Sequence, residues 1–422
     1  MAIKAISDAI SVALFGAGGV PGLNGWTPAS VYLACGALLK TILFLPPVLM
    51  IFDAPFGRFS WKDSKLNFPG RLAFSFMELP APLVFILALS TPDQLSHDYH
   101  ASNASDLLRK LINPSFDHLK QLPAANLILA SLFVIHYTHR AILQPIFGPP
   151  RSPSHIMVIS SAFMFSVTNG FTMGSWIGGR SPSLLVPTSL LSSKAAIKSV
   201  KTASWFAGIL PRSKVASPGL DNKSIVPIAQ PGLLPAGTST LMHPLFILGV
   251  LGWAIGFASN VYHDEILFNL RRPEKRGGGP AEGTRSNIHK AEANGSSSEK
   301  LDSNDTSSTG QRYEIPQGGL YSLISFPNYF SEWFEWASFA LAAISQTPLS
   351  PLSANAVPLT LMGRIALLTA SAPVLFVLVE IASMLPRAVR GHQWYHTKFG
   401  VEGDNKGGRY PSQRKAVIPY VL

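Results

Sequence analysis

One cysteine in 422 residues, Cys35, leaves no partner for an intramolecular disulfide and excludes a zinc site built from several thiolates. Charge is equally scarce. Asp, Glu, Lys and Arg make up 14% of the chain against 47% hydrophobic residues, too little to clothe an ordinary two-domain soluble protein. The glycine-rich run Gly16-Ala17-Gly18-Gly19 has no strand-turn-helix unit around it, and Pro21 stands where a dinucleotide fingerprint needs its third glycine, so no Rossmann domain is expected. A clean cleavage signature is missing too: Lys4 and Asp8 interrupt the apolar opening stretch, which is not read as a signal peptide. No internal repeat is evident.

Long apolar runs are present instead. A helical span needs about 20 mainly apolar residues, and seven candidates lie near 31–52, 72–90, 124–146, 156–178, 242–262, 329–346 and 365–386. The expected fold is an all-α polytopic membrane protein, a bundle of seven transmembrane helices with a cofactor pocket on the cytosolic side. The chain then divides into four parts: an N-terminal lumenal segment (1–27), helices 1–5 (28–273) with a flexible insertion near 180–240, a low-complexity cytosolic insertion (274–311), and a C-terminal region (312–422) with helices 6–7 and a cytosolic tail. The net charge of +11 falls beside the spans rather than in one basic domain, which fits membrane surfaces and an anionic cofactor better than nucleic acid. Grouping 53–71, 147–155, 263–328 and the tail from Arg387 gives roughly twice the Lys and Arg of the other side, so the C-terminus is placed in the cytosol and the N-terminus in the lumen. Of the sequons at Asn103, Asn222, Asn294 and Asn304, only the first two would then face the lumen.

Ionisable groups inside such runs are costly, roughly 2.5–3.5 kcal/mol each at mid-bilayer, and ask for a partner or a purpose. Glu78 precedes Pro80 in the second run, where the proline frees a helix carbonyl. In His136-Tyr137-Thr138-His139-Arg140, regular helical geometry puts Tyr137, Arg140 and Gln144 on one stripe. A tyrosine hydroxyl there can donate to a carbonyl oxygen, with a carboxyl to orient it; a helix-end cluster reaching for the interface would look the same. Asn260, Asp264 and Arg271 share one face, as do Asn328, Glu332 and Glu335. Such rows suit an amide, a ribose and a phosphate, and equally suit a solvated helix end. Arg387, Arg390, Trp394 and Tyr395 fit phosphate and adenine contacts or anionic lipid. His136 with His139 and His392 with His396 are too few for the histidine boxes of a di-iron hydroxylase, and no metal is expected.

These clusters, in this order, resemble the steroid 5α-reductase family. The fullest match is C-terminal: Ile315-Pro316-Gln317-Gly318-Gly319-Leu320-Tyr321, Pro327-Asn328-Tyr329-Phe330-Ser331-Glu332, Glu335-Trp336, Arg387, His392-Gln393-Trp394-Tyr395, Tyr410-Pro411 and Arg414-Lys415-Ala416. Upstream, Ala54-Pro55-Phe56-Gly57, Glu78-Leu79-Pro80, the His136 to Arg140 block and Asn169-Gly170 also match. The resemblance implies NADPH-dependent saturation of a carbon-carbon double bond in a lipophilic conjugated enone, with a 3-oxo-Δ4 steroid or sterol expected. Glu78 and Tyr137 would polarise the carbonyl. Arg151, Asn260, Asp264, Arg271, Tyr313, Asn328, Glu332, Arg387 and Tyr395 match the cofactor pocket. A monomer in the endoplasmic reticulum membrane, among lipids, is implied.

Three positions depart from the animal pattern: Met77 where a glutamine stands, Glu314 where a basic residue is usual, and Gly391 for a histidine. Within the superfamily, an enoyl-CoA or polyprenal reductase would use related chemistry, though Glu78-Leu79-Pro80 and the His136 block favour the steroid branch. An isoprenylcysteine-type membrane methyltransferase shares the basic aromatic tail, but Gln317-Gly318-Gly319 argues against it. A seven-helix receptor or transporter would show no NADPH turnover.

Overall fold

The computed structural model describes residues 26–52, 54–59, 61, 63–99, 101–182, 184–187, 225–228, 232–272, 314–347, 360–400 and 410–422. The glycine run at 16–19, Tyr313, the 274–311 insertion and most of the 180–240 insertion lie outside them. Within these residues the chain is mostly helical. The elements are α1 (Pro28–Thr41), α2 (Pro46–Ile51), β1 (Asn67–Phe68), α3 (Gly70–Glu78), α4 (Pro80–Leu89), α5 (Ala104–Leu111), α6 (Phe116–Gln121), α7 (Ala124–Thr138) and α8 (Gln144–Phe147). They continue with β2 (Ser154–His155), α9 (Ile156–Ile177), β3 (Leu184–Pro187), β4 (Ile225–Ile228), α10 (Thr238–Leu241), α11 (Pro244–Asn269), α12 (Pro327–Ile344), α13 (Leu361–Ala370) and α14 (Ala372–Phe399).

Six segments among the described residues are long and apolar enough to cross a membrane: Pro28–Ile51, Gly70–Leu89, Ala124–Phe147, Ile156–Ile177, Pro244–Asn269 and Ala372–Phe399. They match six of the seven expected runs. The seventh, near 329–346, is the 18-residue α12, whose Asn328, Glu332 and Glu335 dilute its apolar character. The stretch 180–240 is not wholly irregular either, since β3 pairs antiparallel with β4 from Leu184↔Ile228 to Pro187↔Ile225.

Two close helix contacts organise the bundle, and each depends on a missing side chain. A Cβ on Gly170 of α9 would lie 2.4 Å from the Ala81 carbonyl oxygen of α4, and one on Gly256 of α11 would lie 2.7 Å from the Glu335 backbone of α12. Small residues let helix backbones approach this far in a bundle that lipid gives no hydrophobic reason to close. Around them a buried aromatic core forms, with Phe85 stacked on Phe133 at 4.1 Å and Trp336 edge-on to Phe376 at 4.7 Å. On the outside, Leu248, Leu251 and Ile255 of α11 are exposed at helical spacing, an apolar stripe suited to lipid.

The ends of the bundle differ. At one, β1 pairs with β2 (Asn67↔His155), fixing the starts of α3 and α9 side by side. At the same end, Ile324 bridges to Lys415, and the Phe326 N–H donates to the Ala416 carbonyl at 3.0 Å, drawing the tail against the start of α12. At the other end, the buried Arg180 donates to the carbonyls of Ala88, Asp93, Lys110 and Leu111 at 2.7–3.2 Å. There Asn126 also donates to the carbonyls of Ile177 and Gly232, both at 2.7 Å, and accepts from the Leu234 N–H.

Candidate active site

The break between α3 and α4 sets the first functional side chain. Pro80 has no N–H for the Phe76 carbonyl, so the helix is interrupted at Leu79 and Glu78 ends α3 facing inward. Glu78 accepts from the Arg140 Nε at 3.1 Å, while Arg140 Nη1 lies 3.0 Å from Glu332 Oε1 on α12. One guanidinium thus holds two carboxylates from different helices. Behind Glu332, the buried His136 Nδ1 is 2.7 Å from Glu335 Oε1, and its Nε2 is 3.8 Å from Glu332 Oε1.

The helix carrying these groups is not regular. A π-helical turn, His139–Leu143, separates α7 from α8, so the expected single stripe of Tyr137, Arg140 and Gln144 is divided. The extra residue in that turn rotates every side chain beyond it about the helix axis. Tyr137 is buried in the aromatic core, its hydroxyl accepting from Asn169 Nδ2 at 3.2 Å. Arg140 meets Glu78 and Glu332. Gln144 points further along, donating to Asp264 Oδ2 at 2.8 Å and accepting from Arg151 Nη2 at 3.2 Å.

These groups surround a cavity of about 350 Å³ at the β1–β2 end of the bundle. Glu78, Arg140 and Glu332 form one part of its wall, and Asp264, Asn328 and Arg271 another. Asn328 Nδ2 donates to Asp264 Oδ1 at 2.9 Å, so the two polar rows read from α11 and α12 do meet. Arg151 and Arg387 complete the basic lining, each guanidinium laid over a ring: Arg151 at 3.7 Å from Phe74, and Arg387 at 3.6 Å from Phe56. Burial lowers the Arg151 guanidinium to about 10, with the charge of Arg140 adding to the effect. It stays protonated near neutrality, and an anion beside it would restore what burial takes away.

Three of the expected residues do not line this space. Asn260 is buried one turn of α11 below Asp264. Tyr395 lays its ring face on Tyr410, with centroids 5.3 Å apart and planes 8° apart. Tyr137 sits behind the wall. His136 with Glu335, and Glu380 on α14, were not anticipated as parts of one network. Glu380 is an electrostatic neighbour of Glu332, Arg140, Glu78 and Glu335, and the visible signal was a lone acid in the apolar run 365–386. Among the described residues no cluster of metal-ligating side chains occurs.

Comparison with known proteins agrees with the motifs. The family model described as 3-oxo-5-alpha-steroid 4-dehydrogenase matches residues 291–350 and 363–422. An uncharacterised protein of Schizosaccharomyces pombe is 27% identical over 89% of this chain and 94% of its own length. The 3-oxo-5-alpha-steroid 4-dehydrogenase 1 of Rattus norvegicus is 25% identical over 87% of this chain and 86% of its own. The steroid 5-alpha-reductase of Arabidopsis thaliana is 22% identical over 70% of each. The C-terminal domain match and these long alignments show the recognition carried by the motifs: the chain is a relative of the steroid 5α-reductases.

Proposed function

We propose that this protein reduces the carbon-carbon double bond of a lipophilic conjugated enone, a 3-oxo-Δ4 steroid or sterol being the expected class, at the expense of NADPH. The observation that carries the reading is the Glu78–Arg140–Glu332 bridge, which joins the expected substrate acid to the expected cofactor wall across one cavity. The donor set fits a dinucleotide. Arg151, Arg271 and Arg387 supply guanidinium charge for phosphate, and the Asp264–Asn328 pair supplies both hydrogen-bond polarities for ribose or amide. When bound, NADPH supplies a hydride to the β-carbon of the enone; a proton then reaches the α-carbon.

The chain's own contribution is electrophilic. Because the Tyr137 oxygen already accepts from Asn169, its own hydrogen is directed elsewhere; since Tyr137 lies behind the cavity wall, a substrate carbonyl would receive that hydrogen by entering on the aromatic-core side of Glu78. That hydrogen bond strengthens as the oxygen gains charge, which favours the transition state over the ground state. Glu78, an electrostatic neighbour of Tyr137, orients the couple while Arg140 fixes its carboxyl. The polar cavity belongs at the cytosolic face with the C-terminus, in a multi-pass monomer of the endoplasmic reticulum membrane whose partners are lipids and the apolar substrate, not nucleic acid.

In purified membranes, loss of enone absorbance should require NADPH, and mass spectrometry should show a gain of two hydrogens. Tyr137→Phe and Glu78→Gln should each abolish this turnover, and activity retained in both variants rejects the assignment. A panel of steroid, polyprenal and enoyl-CoA substrates identifies the branch, and methyl transfer from S-adenosylmethionine would replace the reductase reading altogether.

A further inference from the structure

We propose that Asn103 carries an N-linked glycan on the side of the membrane opposite the cavity; this rests on the orientation given under Proposed function. Asn103-Ala104-Ser105 is the acceptor triplet that falls among the described residues. Both Asn103 and Ser105 are exposed.

The local geometry fits the modification. Asn103 has an extended backbone (φ −160°, ψ 172°) and caps α5, its Oδ1 accepting the Asp106 N–H at 2.9 Å. The carboxylate of Asp106 is itself held by the Tyr99 hydroxyl at 2.6 Å and the Ser102 N–H at 3.1 Å, so the turn is built without the Asn103 amide nitrogen. That nitrogen makes one long contact, 3.4 Å to Ser102 Oγ. Transfer from a lipid pyrophosphate-linked oligosaccharide forms a bond between Nδ2 and the anomeric carbon. The sugar-pyrophosphate bond breaks, and the amide gives up one proton. The product keeps Oδ1 and one N–H, so the cap that starts α5 survives.

Position in the bundle agrees. Asn103 lies between α4 and α7, at the end where Arg180 binds the carbonyls of Ala88, Asp93, Lys110 and Leu111. The start of α1 is tied to the same end, the Ala29 N–H donating to the Ser96 carbonyl at 3.2 Å. The cavity sits at the opposite ends of the α3–α4 and α9 segments, so a glycan here leaves it open.

The test uses the full chain in eukaryotic microsomes, with Asn222→Gln removing the other sequon expected on the same side. Peptide N-glycosidase F should increase its gel mobility by one glycan step. Asn103→Asp keeps a capping oxygen but removes the acceptor amide, and should abolish the step without changing thermal stability or turnover; Ser105→Ala should also abolish it. An Asn222→Gln chain without the step, or a step that survives Asn103→Asp in that background, overturns the proposal. A Cys35→Ser, Asp117→Cys variant probed with a membrane-impermeant maleimide on sealed microsomes separates the causes of failure. Protection with no glycan defeats the modification alone, whereas labelling from outside defeats the orientation with it.

Discussion

Arg140→Met is expected to lower kcat/KM for NADPH-dependent reduction by about 10²-fold, the largest single loss outside the carbonyl-polarising pair. Methionine keeps the length of the stem and removes the cation that Glu78 and Glu332 share. Glu78 then faces the cavity without that cation, and the almost wholly buried Glu332 keeps, among the described residues, only the His136 imidazole at 3.8 Å. Stranding a charge in a fully buried pair costs about 3–5 kcal/mol. That cost falls on folding; the stated factor corresponds to about 3 kcal/mol of transition-state stabilisation, at about 1.4 kcal/mol per decade, lost when the two acids are no longer held in register. Arg140→Lys should recover only part of the loss, since a compact ammonium cannot span two carboxylates as a planar guanidinium does. Steady-state kinetics at fixed membrane content measures both. Equal rates for wild type and Arg140→Met would show that the bridge does not order the site.

Gly170→Leu should prevent accumulation of folded protein, because the space its side chain needs is already occupied by the Ala81 carbonyl oxygen. Overpacking a well-packed contact costs about 1–3 kcal/mol where side chains can yield. Here the obstacle is backbone, so at least the upper end of that range applies. The comparison is Gly36→Ala in α1, where an added Cβ meets nothing within 4 Å and helix propensity predicts a gain of about 0.5–1 kcal/mol. Folded yield after detergent extraction should therefore collapse for Gly170→Leu, while the thermal midpoint should rise for Gly36→Ala. A Gly170→Leu protein as stable as wild type would mean that α4 and α9 are not packed as described.

How much of the fold and site was legible in the sequence depends on the kind of signal. Apolar length marks a span whatever its neighbours do, and six of the expected runs are helices long enough to cross. Periodicity placed Asp264 and Asn328 each on a polar row of its own helix, and packing brings the two rows together in a hydrogen bond. It failed at Tyr137 and Gln144, because a π turn is a local departure from 3.6 residues per turn that composition does not announce. The His136–Glu335 pair and the place of Glu380 were hidden for another reason. They are 199 residues apart or on separate helices, and only packing decides that they meet. Tyr395 shows the converse, a residue whose type suits adenine but whose ring face is taken by Tyr410.

The pairing of the 323–326 segment with Lys415 and Ala416 bears on how the molecule is handled at the bench. Phe326 belongs to the cavity wall, and its backbone is anchored to the last strip of chain. A bulky reporter joined after Leu422 would pull on that anchor and register as a change in ligand affinity unrelated to the substitution under study. Affinity handles are better carried beside Asp117, exposed at the start of α6 and remote from the pocket.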